Sequence, residues 1–195
     1  MPFLSLSLSQ PLSIPHALLS SLSPPLSLSL FHTQKDGVPN LACVETVDSP
    51  KLASKLDAAV GAALSTGLRP AAAGPLAVMV QVNTSGEESK HGVPPSAAPG
   101  LAAHVASTCP YLRLAGLMTI GQPDYTSRPE NFDCLTRTRD AVAAALEEGG
   151  RGGSPSSTPL ELSMGMSGDF EAAIAMGSTN VRVGSTIFGA REYAK

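Results

Sequence analysis

The sequence is poor in aromatic and charged residues. It contains no tryptophan, and only 4% of its 195 residues are aromatic and 15% charged. The net charge of −3 provides no basic surface, so we expect no nucleic-acid partner. The four histidines and three cysteines have no spacing typical of a metal site, and an odd number of cysteines is typical of reduced thiols. The thiols belong to Cys43, Cys109 and Cys134.

Charge is absent from the first 34 residues, which are dominated by leucine, serine and proline. Serine and proline interrupt each apolar run well before the roughly 18 residues that a membrane span needs. A secretory signal would begin with a basic segment, and a transit peptide would contain arginine, whereas the first arginine here is Arg69. We predict that residues 1–36 are a disordered leader and residues 37–195 one domain. A cytoplasmic location follows, with a mitochondrion or plastid left open.

Beyond residue 37, strand-like and helix-like segments alternate. Apolar runs at 41–47, 76–82 and 112–120 predict strands, and the intervals contain helical patterns at 51–64 and 99–108. Such alternation is typical of an α/β fold with a parallel sheet. A capping box at 127–130 predicts a third helix, and residues 149–159 predict a flexible loop. The side chains expected to face the core are Leu52, Leu56, Ala59 and Ala63 in the first helix and Phe132, Leu135, Val142 and Leu146 in the third.

Two glycine-rich turns lie close together near the C-terminal end. Residues 162–164 lead into Gly165-Met166-Ser167-Gly168, and a helical pattern with Phe170, Ala173 and Ile174 on one face follows. The strand-like residues 181–183 lead directly into Gly184-Ser185-Thr186. The order of strand, glycine turn and helix start is therefore present twice.

This order is compatible with two interpretations. Helix starts expose unpaired N–H groups, and glycine lets an anion approach them, so the turns are typical of a phosphate site. Barrel proteins often hold phosphate in the loops after their last two strands. Alternatively, the glycines only form strand-to-helix turns and Ser167 only caps a helix. The pattern alone does not separate the two.

Together with four upstream motifs, this segment resembles the pyridoxal-phosphate homeostasis proteins, also called the proline-synthetase co-transcribed family. The fold of that family is similar to the N-terminal barrel of alanine racemase. The resemblance begins near residue 37 and continues to the end of the chain. The matching motifs, in chain order, are VETVDS (44–49), PLAVMVQVNTSGEESKHGV (75–93), LRLAGLMTIG (112–121) and PENF (129–132).

The resemblance implies a role for five residues in binding pyridoxal 5′-phosphate. Ser167 matches a phosphate-binding serine, and Met166 lines the same pocket. Gly184 and Ser185 match donors on the other side of the phosphate. Arg182 matches the residue that faces the ring nitrogen, where a guanidinium keeps that nitrogen unprotonated and weakens the ring as an electron sink. The alternative for Arg182 is a strand arginine paired with a surface carboxylate.

The resemblance also implies a Schiff-base lysine on an early strand, and no match to that strand is found here. Lys35 lies too close to the VETVDS motif to take this position. Lys90 is a candidate for the Schiff-base lysine by its place in the sequence, although a solvated loop lysine is the simpler interpretation. His91 is a candidate for a phosphate contact, with an exposed loop histidine as the simpler interpretation. We therefore expect any cofactor to be bound without a covalent bond.

The predicted fold class is α/β: a partial (β/α) TIM-type barrel of the alanine racemase N-terminal type, with strands 4 to 8 present and the first three missing. The leading hypothesis for function is a non-enzymatic pyridoxal-phosphate-binding protein of vitamin B6 homeostasis, impaired by loss of the lysine. The alternatives are a racemase-like or phosphosugar-processing enzyme that uses the same phosphate site, and an inactive product. Open barrel edges predict self-association, and no membrane partner is expected.

Overall fold

A computed structural model of the chain describes residues 38–87, 91–121, 129–149 and 159–189. These residues form five strands: β1 (Cys43–Val47), β2 (Leu76–Gln81), β3 (Leu112–Met118), β4 (Glu161–Met166) and β5 (Asn180–Arg182). The helices are α1 (Pro50–Ser65), α2 (Ala98–Thr108), α3 (Pro129–Glu148), α4 (Phe170–Ala175) and α5 (Ser185–Phe188), with 3₁₀ turns at Val38–Asn40, Ala71–Ala73 and Pro95–Ala97. The predicted leader, the first two residues of the capping box and most of the 149–159 loop lie outside the described residues.

All the strands run parallel in the order β1-β2-β3-β4-β5. Because consecutive strands are neighbours, each of the helices α1 to α4 crosses from the end of one strand to the start of the next. The predicted α/β class with a parallel sheet is confirmed, and most element boundaries differ from the predicted ones by one or two residues. None of the described helices is both long enough and apolar enough to cross a membrane.

The main apolar core lies between the sheet and its helices. In α1 the buried stripe differs from the predicted one, because Leu52 and Ala59 are only partly buried. The buried stripe of α1 is Ala53, Leu56, Val60 and Ala63. The prediction for α3 was better, with only Leu146 partly exposed. In α4 only Ala173 is buried, and Ile174, expected inside, is 53% exposed.

The opposite face of the sheet forms the inside of a half-barrel. Its apolar part is small, comprising Ala77, Met79, Ala115 and Met118 with Cys43 packed against them. Glu45 on β1 nevertheless accepts a hydrogen bond of 2.7 Å from Asn180 on β5, across three intervening strands. In a flat sheet these strands would lie about 19 Å apart, at about 4.8 Å per strand. The sheet is therefore strongly curled, as the predicted partial barrel requires.

Candidate functional site

The first glycine turn joins β4 to α4 and needs glycine at its first position. Gly165 has φ +96°, and a Cβ there would lie 2.6 Å from the Cβ of Ala173. The Met166 N–H donates to Asp169 Oδ1 at 2.6 Å, which fixes the shape of the turn. Helix α4 begins after Asp169. Ser167 therefore does not cap α4, but its Oγ accepts from the Thr186 N–H at the start of α5 at 3.5 Å, so the alternative that it only caps a helix stays open.

The second glycine turn joins β5 to α5 and is bonded directly to the first. The Gly184 N–H donates to Ser167 Oγ at 2.9 Å, and Thr186 Oγ1 donates to the Ser167 carbonyl at 3.4 Å. Ser185, which opens α5, is exposed. We call residues 165–168 and 184–186 together the glycine cradle. Ser167 is the side chain that joins its two halves.

The five predicted site residues all lie at the C-terminal ends of the two neighbouring strands β4 and β5. Met166 pairs with Arg182 in the strand register, and Met166 is 9% exposed. Gly184 follows Arg182 by two residues, which corresponds to about 7 Å of extended chain. The fold thus brings Met166, Ser167, Arg182, Gly184 and Ser185 together. Their contact with a cofactor stays a prediction.

Arg182 lies inside the half-barrel, with 7% of the residue exposed. It donates from Nη1 to Ser163 Oγ and from Nη2 to the Thr119 carbonyl at 2.6 Å. Burial lowers the pKa of Arg182, while the charges of Glu45 and Asp169 act to raise it. A guanidinium stays protonated in proteins, so a full positive charge is buried here. The alternative of a surface ion pair was therefore wrong.

Glu45 is the counter-charge, and sequence reasoning did not identify it. Its carboxylate is buried and lies 3.9 Å from Arg182 Nη1. Ser163 Oγ donates to Glu45 Oε2 at 2.7 Å while accepting from Arg182, so the serine links the two charges. Two features of the sequence could have identified Glu45: it lies in the VETVDS motif, and it lies in a strand whose alternate residues face opposite sides. Its burial depends on the curl, which no local pattern shows.

Threonine hydroxyls lie beside this pair at the ends of β2 and β3. Thr84 Oγ1 and Thr119 Oγ1 are 2.9 Å apart. His91 is exposed and contributes its carbonyl, which accepts from Gln81 Nε2 at 3.0 Å. Its simpler interpretation as an exposed loop histidine agrees with this position. Lys35 and Lys90 lie outside the described residues.

The opposite end of the half-barrel contains a groove with a volume of about 560 Å³. Two arginines line it: Arg113, and Arg69, which is 3% exposed. The Arg69 guanidinium donates hydrogen bonds to backbone carbonyls, among them those of Leu41 at 2.9 Å and Gly74 at 3.0 Å. These bonds hold the segment before β1 against the loop before β2. The buried arginine of this groove has a structural role, so the candidate site is the cradle end.

Comparison with curated proteins gives one consistent result. The human pyridoxal phosphate homeostasis protein is 44% identical over 173 residues, which cover 84% of this chain and 58% of the human protein. The chain is a homologue of the pyridoxal phosphate homeostasis proteins. The worm protein of the same name, from Caenorhabditis elegans, is 45% identical over 161 residues. The chain thus spans a little more than half the length of these relatives, and the resemblance seen in the sequence is confirmed. No protein-family model matches the chain.

Solved structures agree on the fold. PipY of Synechococcus elongatus, solved without pyridoxal phosphate, superimposes with a TM-score of 0.61 at 26% identity, covering 81% of this chain and 66% of PipY. PipY with pyridoxal phosphate bound gives 0.60 at 24% identity. Alanine racemase of Clostridium difficile gives 0.56 at 16% identity, covering 83% of this chain and 38% of the racemase. The curled α/β sheet is therefore of the alanine racemase N-terminal type.

Proposed function

We propose that this chain binds pyridoxal 5′-phosphate at the cradle end of the half-barrel and serves vitamin B6 homeostasis as a non-enzymatic binding protein. The observation that carries the proposal is the joining of the glycine cradle to buried Arg182 across the paired ends of β4 and β5. The name of the human relative and the pyridoxal phosphate bound in PipY support it.

The residues present fit the two ends of this cofactor. Ser167 Oγ accepts the Gly184 N–H, so the serine keeps its own hydrogen for an anionic oxygen. At the other end, Arg182 uses only Nη1 and Nη2 toward described residues, and its remaining N–H groups are buried donors. Buried donors are nearly always bonded, and an unprotonated pyridine nitrogen is a suitable acceptor. Phosphate at Ser167 and ring nitrogen at Arg182 would place the cofactor along β5.

Each site residue then has a distinct part in binding. Ser167 and Ser185 would bind the phosphate, Gly184 would let it approach the turn closely, and Met166 would cover one side of the pocket. Arg182 would donate to the ring nitrogen and disfavour its protonation. The bound cofactor itself supplies an aldehyde on an electron-poor ring.

The geometry around Arg182 favours holding over catalysis. Both carboxylate oxygens of Glu45 accept hydrogen bonds, from Ser163 and Asn180, so this carboxylate is not an unpaired base. We therefore propose that the chain binds the cofactor without a covalent bond to lysine. The racemase-like alternative is supported only by the shared fold.

Titration of the full chain with pyridoxal phosphate, followed by absorbance, tests this proposal. We expect saturable binding, and no adduct on a lysine after borohydride reduction and mass spectrometry. Ser167→Ala should weaken binding about tenfold, since a hydrogen bond to a charged oxygen is lost. Asp133→Asn on the exposed face of α3 is the control and should bind like the wild type. A reducible lysine adduct would contradict the non-covalent part, and absence of saturable binding would contradict the whole proposal.

A further inference from the structure

The inside of the half-barrel holds an ion pair that the apolar core does not need. Glu45 is 8% exposed and Arg182 7%. Burying two opposite charges costs more in desolvation than apolar side chains of similar volume would, so such a pair is weak support for stability alone. The neighbouring apolar cluster shows that this face accepts uncharged side chains. We therefore expect the Glu45–Arg182 pair to have a role other than stabilising the packed fold.

The bonds around the pair fix the orientation of the guanidinium. Ser163 accepts from Arg182 Nη1 and donates to Glu45 Oε2, while the Thr119 carbonyl accepts from Nη2. Glu45 is itself fixed on its second oxygen by Asn180 at 2.7 Å. A planar guanidinium bonded at two nitrogens has little rotational freedom. Its remaining N–H groups thus have fixed directions before any ligand arrives.

Charge is the second effect of Glu45. A lone buried guanidinium would attract any anion into the ring-binding end, including free phosphate. With Glu45 beside it, the pair is close to neutral, and what remains is a set of directed donors. Asp169 also acts on Arg182 electrostatically, but its Oδ1 accepts from Met166 N–H in the cradle turn. Glu45 is the carboxylate linked to Arg182 through a hydrogen bond network.

We propose that Glu45 is a positioning residue that acts through Ser163 to hold Arg182 for a neutral, nitrogen-containing aromatic ring. This assignment rests on the proposed function. It adds β1, which carries Glu45, to the strands that form the site. It implies that the chain distinguishes a ring nitrogen from a ring C–H. The phosphate end should be indifferent to Glu45.

Two ligands separate this role from a structural one. The first is pyridoxal phosphate, and the second is its carbocyclic analogue, in which C–H replaces the ring nitrogen. Dissociation constants for both are measured by calorimetry on the full-length wild type, Glu45→Gln and Ser163→Ala, with Asp133→Asn as the control. Ser163→Ala removes only one hydroxyl and keeps the proposal testable if Glu45→Gln does not fold. Far-ultraviolet circular dichroism verifies folding of each variant.

We expect the wild type to bind pyridoxal phosphate at least about tenfold more tightly than the carbocyclic analogue. Glu45→Gln and Ser163→Ala should lose most of that ratio while binding the analogue within about threefold of the wild type. An equal loss for both ligands, or an unchanged ratio, would overturn the assignment of Glu45 while leaving the proposed function intact. A wild type that binds neither ligand would overturn both.

Discussion

Replacing Glu45 with alanine should destabilise the fold strongly, because it leaves Arg182 buried without a counter-charge. Glu45 accepts hydrogen bonds of 2.7 Å from both Ser163 and Asn180 and lies 3.9 Å from Arg182 Nη1. Loss of one partner of a buried ion pair costs about 3–5 kcal/mol. Domains of this size have unfolding free energies of about 5–15 kcal/mol. The substitution should therefore remove a large share of the total stability.

Urea unfolding followed by circular dichroism measures this effect, with the slope of free energy against urea compared between variants. The matched control is Asp133→Ala, which breaks the Arg137–Asp133 pair of 2.7 Å on the surface of α3. Those side chains are 72% and 54% exposed, so the control should cost no more than about 0.5 kcal/mol. Adding Arg182→Met to Glu45→Ala should cost less than the sum of the two changes. If Glu45→Ala costs no more than the control, the buried pair described here is wrong.

Two other substitutions test the cradle turn and the inside of the half-barrel. Gly165→Ala should cost about 1–3 kcal/mol in unfolding free energy, because φ is +96° and a Cβ would lie 2.6 Å from that of Ala173. Gly100→Ala, in open space on α2, should instead stabilise by about 0.5–1 kcal/mol, and similar effects at both positions would refute the turn geometry. Burial foremost, with Glu45 and Glu161 adding to it, raises the pKa of Cys43 to about 12 from 9.0. The folded state then keeps a proton that the unfolded state loses, so stability should fall between pH 9 and 12. Cys43→Ala should flatten that part of a pH series of urea titrations, and an unchanged slope would contradict the raised pKa.

Local patterns were sufficient to predict the strands, the helices and the cradle. Glycine at 165 and 184 follows strand-like runs directly, and a backbone turn depends on residues close in sequence. Helix faces were less accurate: in α1 the predicted stripe contained Leu52 and Ala59, whereas the buried one contains Ala53 and Val60. Neighbouring stripes of an alanine-rich helix are nearly equal in hydrophobicity, so packing against the sheet decides between them.

The Arg182 environment could not be predicted in the same way. Its partner Glu45 is 137 residues away in the sequence, and the two meet only because the sheet curls. Strand alternation places Glu45 on one face of β1, but it does not say whether that face meets solvent or the inside of a barrel. A pattern restricted to a window of residues therefore favoured a surface partner for Arg182.

The two ends of the site consequently depend on different parts of the fold. The proposed phosphate end consists of two turns within residues 165–186, and the Ser167–Gly184 bond joins them once β4 and β5 pair. The ring end requires β1, β3 and β4 as well, through Glu45, Thr119 and Ser163. Curvature of the whole sheet thus determines how Arg182 is held, while the cradle requires only its two strands. A phosphate-binding turn of this kind is common to many barrels, so the proposed selectivity for a nitrogen-containing ring would come from the curl that brings Glu45 to Arg182.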